Sequence, residues 1–131
     1  KPGIDEILAF LHERKIKSAV ATATPIELAL QYLGRIGVKD QFDRIVSAKQ
    51  VAHGKPAPDV YLYACGQIGE DPADCVAVED SPNGIRAAYA AGCRPVMVPD
   101  LTQPDAEIRP LLYAVVDTLA DIKGLIPDRT L

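Results

Sequence analysis

Along the chain, apolar residues at helical spacing alternate with short apolar runs of strand length. Residues 3 to 14 place Ile4, Ile7, Leu8 and Leu11 on one face. Asp5 and Glu6 stand in the first turn and Arg14 and Lys15 at the end, where each sign of charge suits the helix dipole. This predicts an amphipathic helix. Ile16 to Thr22 reads as a strand. Thr24 suits the cap of the next helix and Pro25 its first position. Ile26, Ala29, Leu30 and Leu33 line that helix's inner face, with Gly34 and Gly37 near its end. Asp43 to Ser47 is a short strand. From Asp59 a helix shows Tyr61, Ala64, Cys65 and Ile68 on one side, and Gly69 to Asp74 is a turn. Cys75 to Val78 is a strand, and a helix follows from Pro82 to Ala91. Its inner face, Gly84, Ala87, Ala88 and Ala91, is all small. Ser81 suits its N-cap and Gly92 its C-cap. Arg94 to Val98 is another strand. Residues 99 to 110 read as a polar, Pro-rich surface loop. Tyr113 to Val116 suits a last short strand, and Thr118 caps a brief helix through Ile122 and Leu125. Residues 127 to 131 read as a loose tail. Such alternation predicts an α/β fold, a parallel sheet with helices on both faces.

Composition narrows the class. The 131 residues suit one domain, 1–131, and the 48% hydrophobic and 24% charged content is that of an ordinary globular protein. The net charge is −4, and Lys and Arg are scattered, so no nucleic-acid partner is expected. No apolar run approaches the ~20 residues of a membrane span. Cys65, Cys75 and Cys93 are odd in number, form no Cys-x-x-Cys, and lie in apolar periodic stretches. They read as buried free thiols in a reducing cytosol, so a cytoplasmic location is expected.

Three stretches carry candidate chemistry. In Val76-Ala77-Val78-Glu79-Asp80-Ser81-Pro82-Asn83-Gly84-Ile85, two adjacent carboxylates end a strand just before a helix start. Ligands of open α/β sheets gather at that edge. One acid there is explained by the helix dipole alone. Two in tandem repel unless a cation lies between them, and a hard cation such as Mg²⁺ suits them. In Ser18 to Pro25, the Thr22 hydroxyl ends a strand, and the N–H groups of Ala23 and Thr24 follow at a helix start. That is either a cap or a phosphate cradle. In His53-Gly54-Lys55-Pro56-Ala57-Pro58-Asp59, two prolines restrict the loop that holds Lys55. Lys15, Lys17, Lys39, Lys49 and Lys123 read as ordinary solvated lysines. His12 and His53 have no partner at zinc spacing and read as surface residues. Asp59 reads as a helix-start charge.

Taken together and in order, these stretches resemble the second, third and fourth motifs of the haloacid dehalogenase superfamily. They look most like the phosphatase branch that includes β-phosphoglucomutase. The matches are Thr22, then Lys55 in Gly-Lys-Pro-x-Pro, then Glu79, Asp80, Ser81 and Gly84. The resemblance runs from about Pro2 to about Val98. It implies a Rossmann-like, doubly wound parallel sheet. It also implies a Mg²⁺-dependent phosphomonoester hydrolase acting on a small phosphorylated metabolite through an aspartyl phosphate. By the same resemblance, Thr22 and Lys55 are catalytic, and Thr22, Ala23 and Lys55 hold the substrate phosphate. Asp80 ligates the metal, Glu79 does so directly or through water, and Ser81 and Asn83 support the acids.

The chain departs from the family at one point. No Asp-x-Asp occurs, and the first Asp is Asp5 inside a helical pattern. The family's first motif, with its nucleophile and acid/base, is therefore missing, as is its cap. Lys1-Pro2-Gly3 reads like the return from that cap. In the family the missing strand is central, between the strands at 16–22 and 75–79. The chain alone is then expected to lack that strand, to fold poorly and to be inactive. An N-terminal segment or a second chain would complete it. Three alternatives stay open: a β-phosphoglucomutase-like sugar-phosphate mutase, a non-catalytic phosphate- or metal-binding relic, and a receiver-like domain. Pro25 and Ile26 after Thr22 favour phosphatase over mutase. The Gly-Lys-Pro-x-Pro loop speaks against a receiver.

Overall fold

The computed structural model of the chain describes residues 3–99 and 103–126. Helices and strands follow in alternation: α1 (Ile4–Glu13), β1 (Ala19–Thr22), α2 (Ile26–Arg35), β2 (Arg44–Ser47), α3 (Asp59–Ile68), β3 (Val76–Glu79), α4 (Pro82–Ala91), β4 (Arg94–Met97) and β5 (Ala114–Val115). A 3₁₀ segment covers Leu119–Leu125. All pairing among the described strands is parallel. Thr22 lies opposite Ser47, Glu79 opposite Met97, and Val96 opposite Ala114. This is the expected α/β fold, but the sheet is in two pieces, β1-β2 and β3-β4-β5.

Side-chain alternation builds a core on each face. On one side, Val60, Tyr61, Ala64 and Cys65 of α3 and Ala87, Ala88 and Ala91 of α4 pack on Ala19 and Ala21 of β1 and Ala77 of β3. Helix α3 thus joins the two pieces. On the other side, Ile7 of α1 and Ile122 pack with Val76, Val96 and Ala114. Between the pieces, β1 and β3 lack each other as partners. Val78 of β3 is 36% exposed, whereas parallel strands are normally buried on both faces.

Local expectations fare unevenly. Helix α4 has the predicted bounds, with Ser81 Oγ accepting from Gly84 N–H at 3.2 Å and Gly92 at φ 89° as C-cap. Its inner face also buries Ile85, which the small-residue pattern passes over. Strand β1 starts at Ala19 rather than Ile16, because Lys15 adopts a left-handed φ of 57° and the chain is still turning there. Thr24 is not a side-chain cap for α2. The N-cap residue is Pro25, and Thr24 donates its N–H to Thr22 Oγ1 at 3.1 Å. The stretch expected as a surface loop is anchored in the core. Asp105 Oδ1 accepts from the N–H groups of Glu107 and Ile108, and Ile108 is 0% exposed against Ile85 and Met97. The expected tail at 127–131, the first two residues of Lys1-Pro2-Gly3, and residues 100–102 of that loop lie outside the described residues. Among the described residues, no helix is long and apolar enough to cross a membrane.

Candidate active site

Thr22, Ser47 and Glu79 end their strands on the same, carboxyl edge of the parallel sheet. The first two meet because of register. Ser47 is fully buried, and its Oγ donates to the Thr24 carbonyl at 2.6 Å while accepting from Lys49 N–H at 3.1 Å. Gln50 Oε1 in turn accepts the Ser47 N–H at 2.9 Å. This clamp fixes the turn Thr22-Ala23-Thr24 against the end of β2. Ala23 and Thr24 are exposed, so the turn opens outward.

Lys55 reaches this edge from the loop before α3. Its Nζ stands 2.5 Å from Glu79 Oε2 and 3.3 Å from the Ala21 carbonyl, and 5.3 Å from the centre of the Tyr61 ring. The Lys55 and Glu79 side chains are 15% and 8% exposed, so this pair sits largely out of water. The Tyr61 hydroxyl donates a short hydrogen bond to the same Glu79 oxygen. Burial, followed by the Glu79 charge and hydrogen bond, pushes the Tyr61 hydroxyl well above the ordinary phenol range, so it stays a donor. A Cβ on Gly84 would collide with the Glu79 carboxylate. The glycine is what lets that carboxylate lie over the first turn of α4. The loop carrying Lys55 is itself tied down. Asp59 Oδ2 accepts the His53 backbone N–H at 3.1 Å and lies 3.3 Å from His53 Nδ1. Asp59, expected only as a helix-start charge, is therefore also the loop's anchor.

The structure thus brings Thr22, Lys55 and Glu79 together, with Ala23 on a cleft that Lys55 also lines. Asp80 follows Glu79 at the exposed end of the strand, and Asn83 is exposed in the first turn of α4. Glu79 and Asp80 are adjacent in sequence and carboxylates suit Mg²⁺ as hard donors, while the Glu79 carboxylate already accepts from Lys55 and Tyr61. Among the described residues no group of three His, Cys, Asp or Glu side chains is placed to hold a metal ion. His12 is exposed, with Nε2 2.7 Å from the Gln41 carbonyl, and takes no part. Sequence reasoning missed Ser47 and the Tyr61 hydroxyl. Both act through partners distant in sequence, and parallel register is the signal that would have paired Ser47 with Thr22.

Cys75 and Cys93 stand just before β3 and β4, at the other end of those strands, and Cys65 of α3 packs beside them. Cys65 Sγ is 3.7 Å from Cys75 Sγ and 4.0 Å from Cys93 Sγ, and all three are free. Burial above all pushes Cys65 up to about 11 and Cys75 up to about 12 and raises Cys93 as well. These are protonated, packed side chains.

Comparison with known proteins shows the family and the fold. The family model for haloacid dehalogenase-like hydrolases matches residues 1–92. Hexitol phosphatase B of Escherichia coli is 36% identical over 122 residues, covering 93% of this chain and 51% of that protein. Beta-phosphoglucomutase of Bacillus subtilis is 38% identical over 91 residues, covering 70% of this chain and 39% of that protein. The crystal structure of CbbY from Rhodobacter sphaeroides in complex with phosphate superposes with a TM-score of 0.83 at 32% identity, over 93% of this chain and 55% of that one. The chain spans about half the length of the relatives it matches, or less.

Proposed function

This chain belongs to the haloacid dehalogenase-like hydrolases, and on that premise we propose that it is the phosphate-binding part of a Mg²⁺-dependent phosphomonoester hydrolase for a small phosphorylated metabolite. One observation carries the reading: Lys55, held by Glu79 and the Ala21 carbonyl, stands at the sheet edge where Thr22 ends β1. In this reading Lys55 offsets the negative charge of a metaphosphate-like phosphoryl group. The Thr22 hydroxyl and the backbone N–H groups after it hold further oxygens. Asp80 and Glu79 would hold Mg²⁺, which when bound neutralises phosphate charge.

The nucleophile of this reading is a carboxylate on a strand seated between β1 and β3, from an N-terminal segment or a second chain. It attacks phosphorus, the P–O bond to the alcohol breaks, and a second acid protonates the leaving oxygen. Water then opens the acyl phosphate and releases inorganic phosphate. Free thiols at Cys65, Cys75 and Cys93 support a reducing, cytoplasmic setting.

The test is release of inorganic phosphate from a panel of phosphomonoesters by the full-length protein. Lys55→Ala and Asp80→Asn should each lower kcat/KM by about 100-fold, and Asp80→Asn should cost more than Asp59→Asn. Equal losses for the two aspartates would count against the assignment. Interconversion of sugar phosphates without phosphate release would favour the mutase, a reading supported by the similarity to beta-phosphoglucomutase. Pro25 and Ile26, which offer no polar side chain after the Thr22 turn, favour the phosphatase.

A further inference from the structure

Beside the Thr22-Ala23-Thr24 turn lies a cleft of about 380 Å³. Lys55 lines it, and so does Lys49, a residue the proposed reaction does not use. The other lining residues are alanine, valine and glycine. Lys49 and Lys55 are therefore the lining residues that carry a polar side chain. A ligand that fills such a cleft meets no hydroxyl, amide or carboxylate side chain on its walls.

The two lysines are not equivalent. Lys55 is ion-paired with Glu79 and assigned to the reacting phosphoryl group. Lys49 is exposed and makes no ion pair among the described residues. Its position is nonetheless set, because its backbone N–H donates to Ser47 Oγ, the group that also clamps the Thr24 carbonyl. Turn and second cation are thus built on one buried serine. An exposed ammonium group with no protein counter-ion is available to pair with an anion carried by a ligand.

We propose that Lys49 is a specificity-determining residue and that the substrate carries a second anionic group, a carboxylate or another phosphate, beyond its reacting phosphoryl group. The inference rests on the phosphate site proposed above and adds to it the charge pattern of the substrate. Being exposed, the contact is screened by salt.

A matched pair of probes tests it, methylphosphonate and phosphonoacetate, which differ by one carboxylate. Binding of each to the full-length protein is titrated at low ionic strength with saturating Mg²⁺. Phosphonoacetate should bind roughly five- to tenfold more tightly, the scale of one charge-assisted contact. Lys49→Gln should bring that ratio close to unity, Lys49→Arg should keep it, and added salt should erode it. Lys55→Ala should weaken both probes. If Lys49→Gln leaves the ratio unchanged while Lys55→Ala weakens both, the inference falls and the phosphate site stands. If Lys55→Ala also leaves both untouched, the phosphate site falls and the inference falls with it.

Discussion

The Lys55 ammonium group lies 2.5 Å from Glu79 Oε2 with the Tyr61 ring 5.3 Å away, and little water reaches the pair. Removing one partner of such a pair strands the other charge. Lys55→Met should therefore cost about 3 kcal/mol of stability in urea unfolding, and adding Glu79→Gln should recover part of it. Tyr61→Phe removes a hydrogen bond to a charged oxygen and should cost about 2 kcal/mol. The same phenol gives a pH test. Its folded pKa lies above the unfolded value near 10, so its contribution to stability is present below pH 10 and is lost as pH rises beyond it. The thiols act alike from a lower start. Cys65 and Cys75 rise from 9 to about 11 and about 12, so stability should begin to fall above pH 9. Tyr61→Phe should flatten only the steeper decline above pH 10. At this scale the sequence marks Lys55 well, because a lysine between Gly and Pro is unusual for a solvated side chain. It hides the Tyr61 hydroxyl, because periodicity reports that a ring faces inward and is silent on what its oxygen meets 18 residues away.

Helix α4 shows why an element can be readable and still hold a surprise. Ser81, Pro82 and Gly92 mark both ends, and the bounds follow from local chemistry. Ser81→Ala should cost about 1 kcal/mol in thermal unfolding. Gly84 looks like a mere small residue on the packed face, and intrinsic helix propensity favours alanine there by about 1 kcal/mol. The Glu79 carboxylate occupies the space a methyl group would need. Gly84→Ala should therefore destabilise the fold by roughly 1–3 kcal/mol and weaken phosphonate binding, the opposite sign to propensity. The surface loop expected over 99–110 departs from that reading, within its described residues, for the converse reason. Its prolines and charges conceal two buried residues, Pro104 and Ile108, and the Asp105 turn directs Ile108 into the core. A short strand fares no better. The apolar run before Thr22 gives β1 its existence but not its start, since Lys15 must first complete a left-handed turn.

For the whole molecule, alternation was enough to read a parallel α/β fold, and the order of the three motifs was enough to read the family. What alternation cannot show is pairing, and the sheet is divided between β1 and β3. Unpaired strand edges facing a core are costly. The 131-residue chain by itself should therefore show a broad, non-cooperative heat absorption in calorimetry, sharpened by a strand-forming peptide that pairs with both edges. A sharp monomeric transition without any partner would refute this. The three thiols give the same question a chemical clock. Cys65 and Cys93 are shielded in the closed fold and protonated at neutral pH, so an alkylating reagent must wait for the packed layer between α3 and the strands to part. Each covalent adduct then records one opening. Counted by mass against time, the adducts turn a packing detail at the far end of the strands into a running tally of how often the two half-sheets come apart, and of how far any occupant of the opposite edge slows that rhythm.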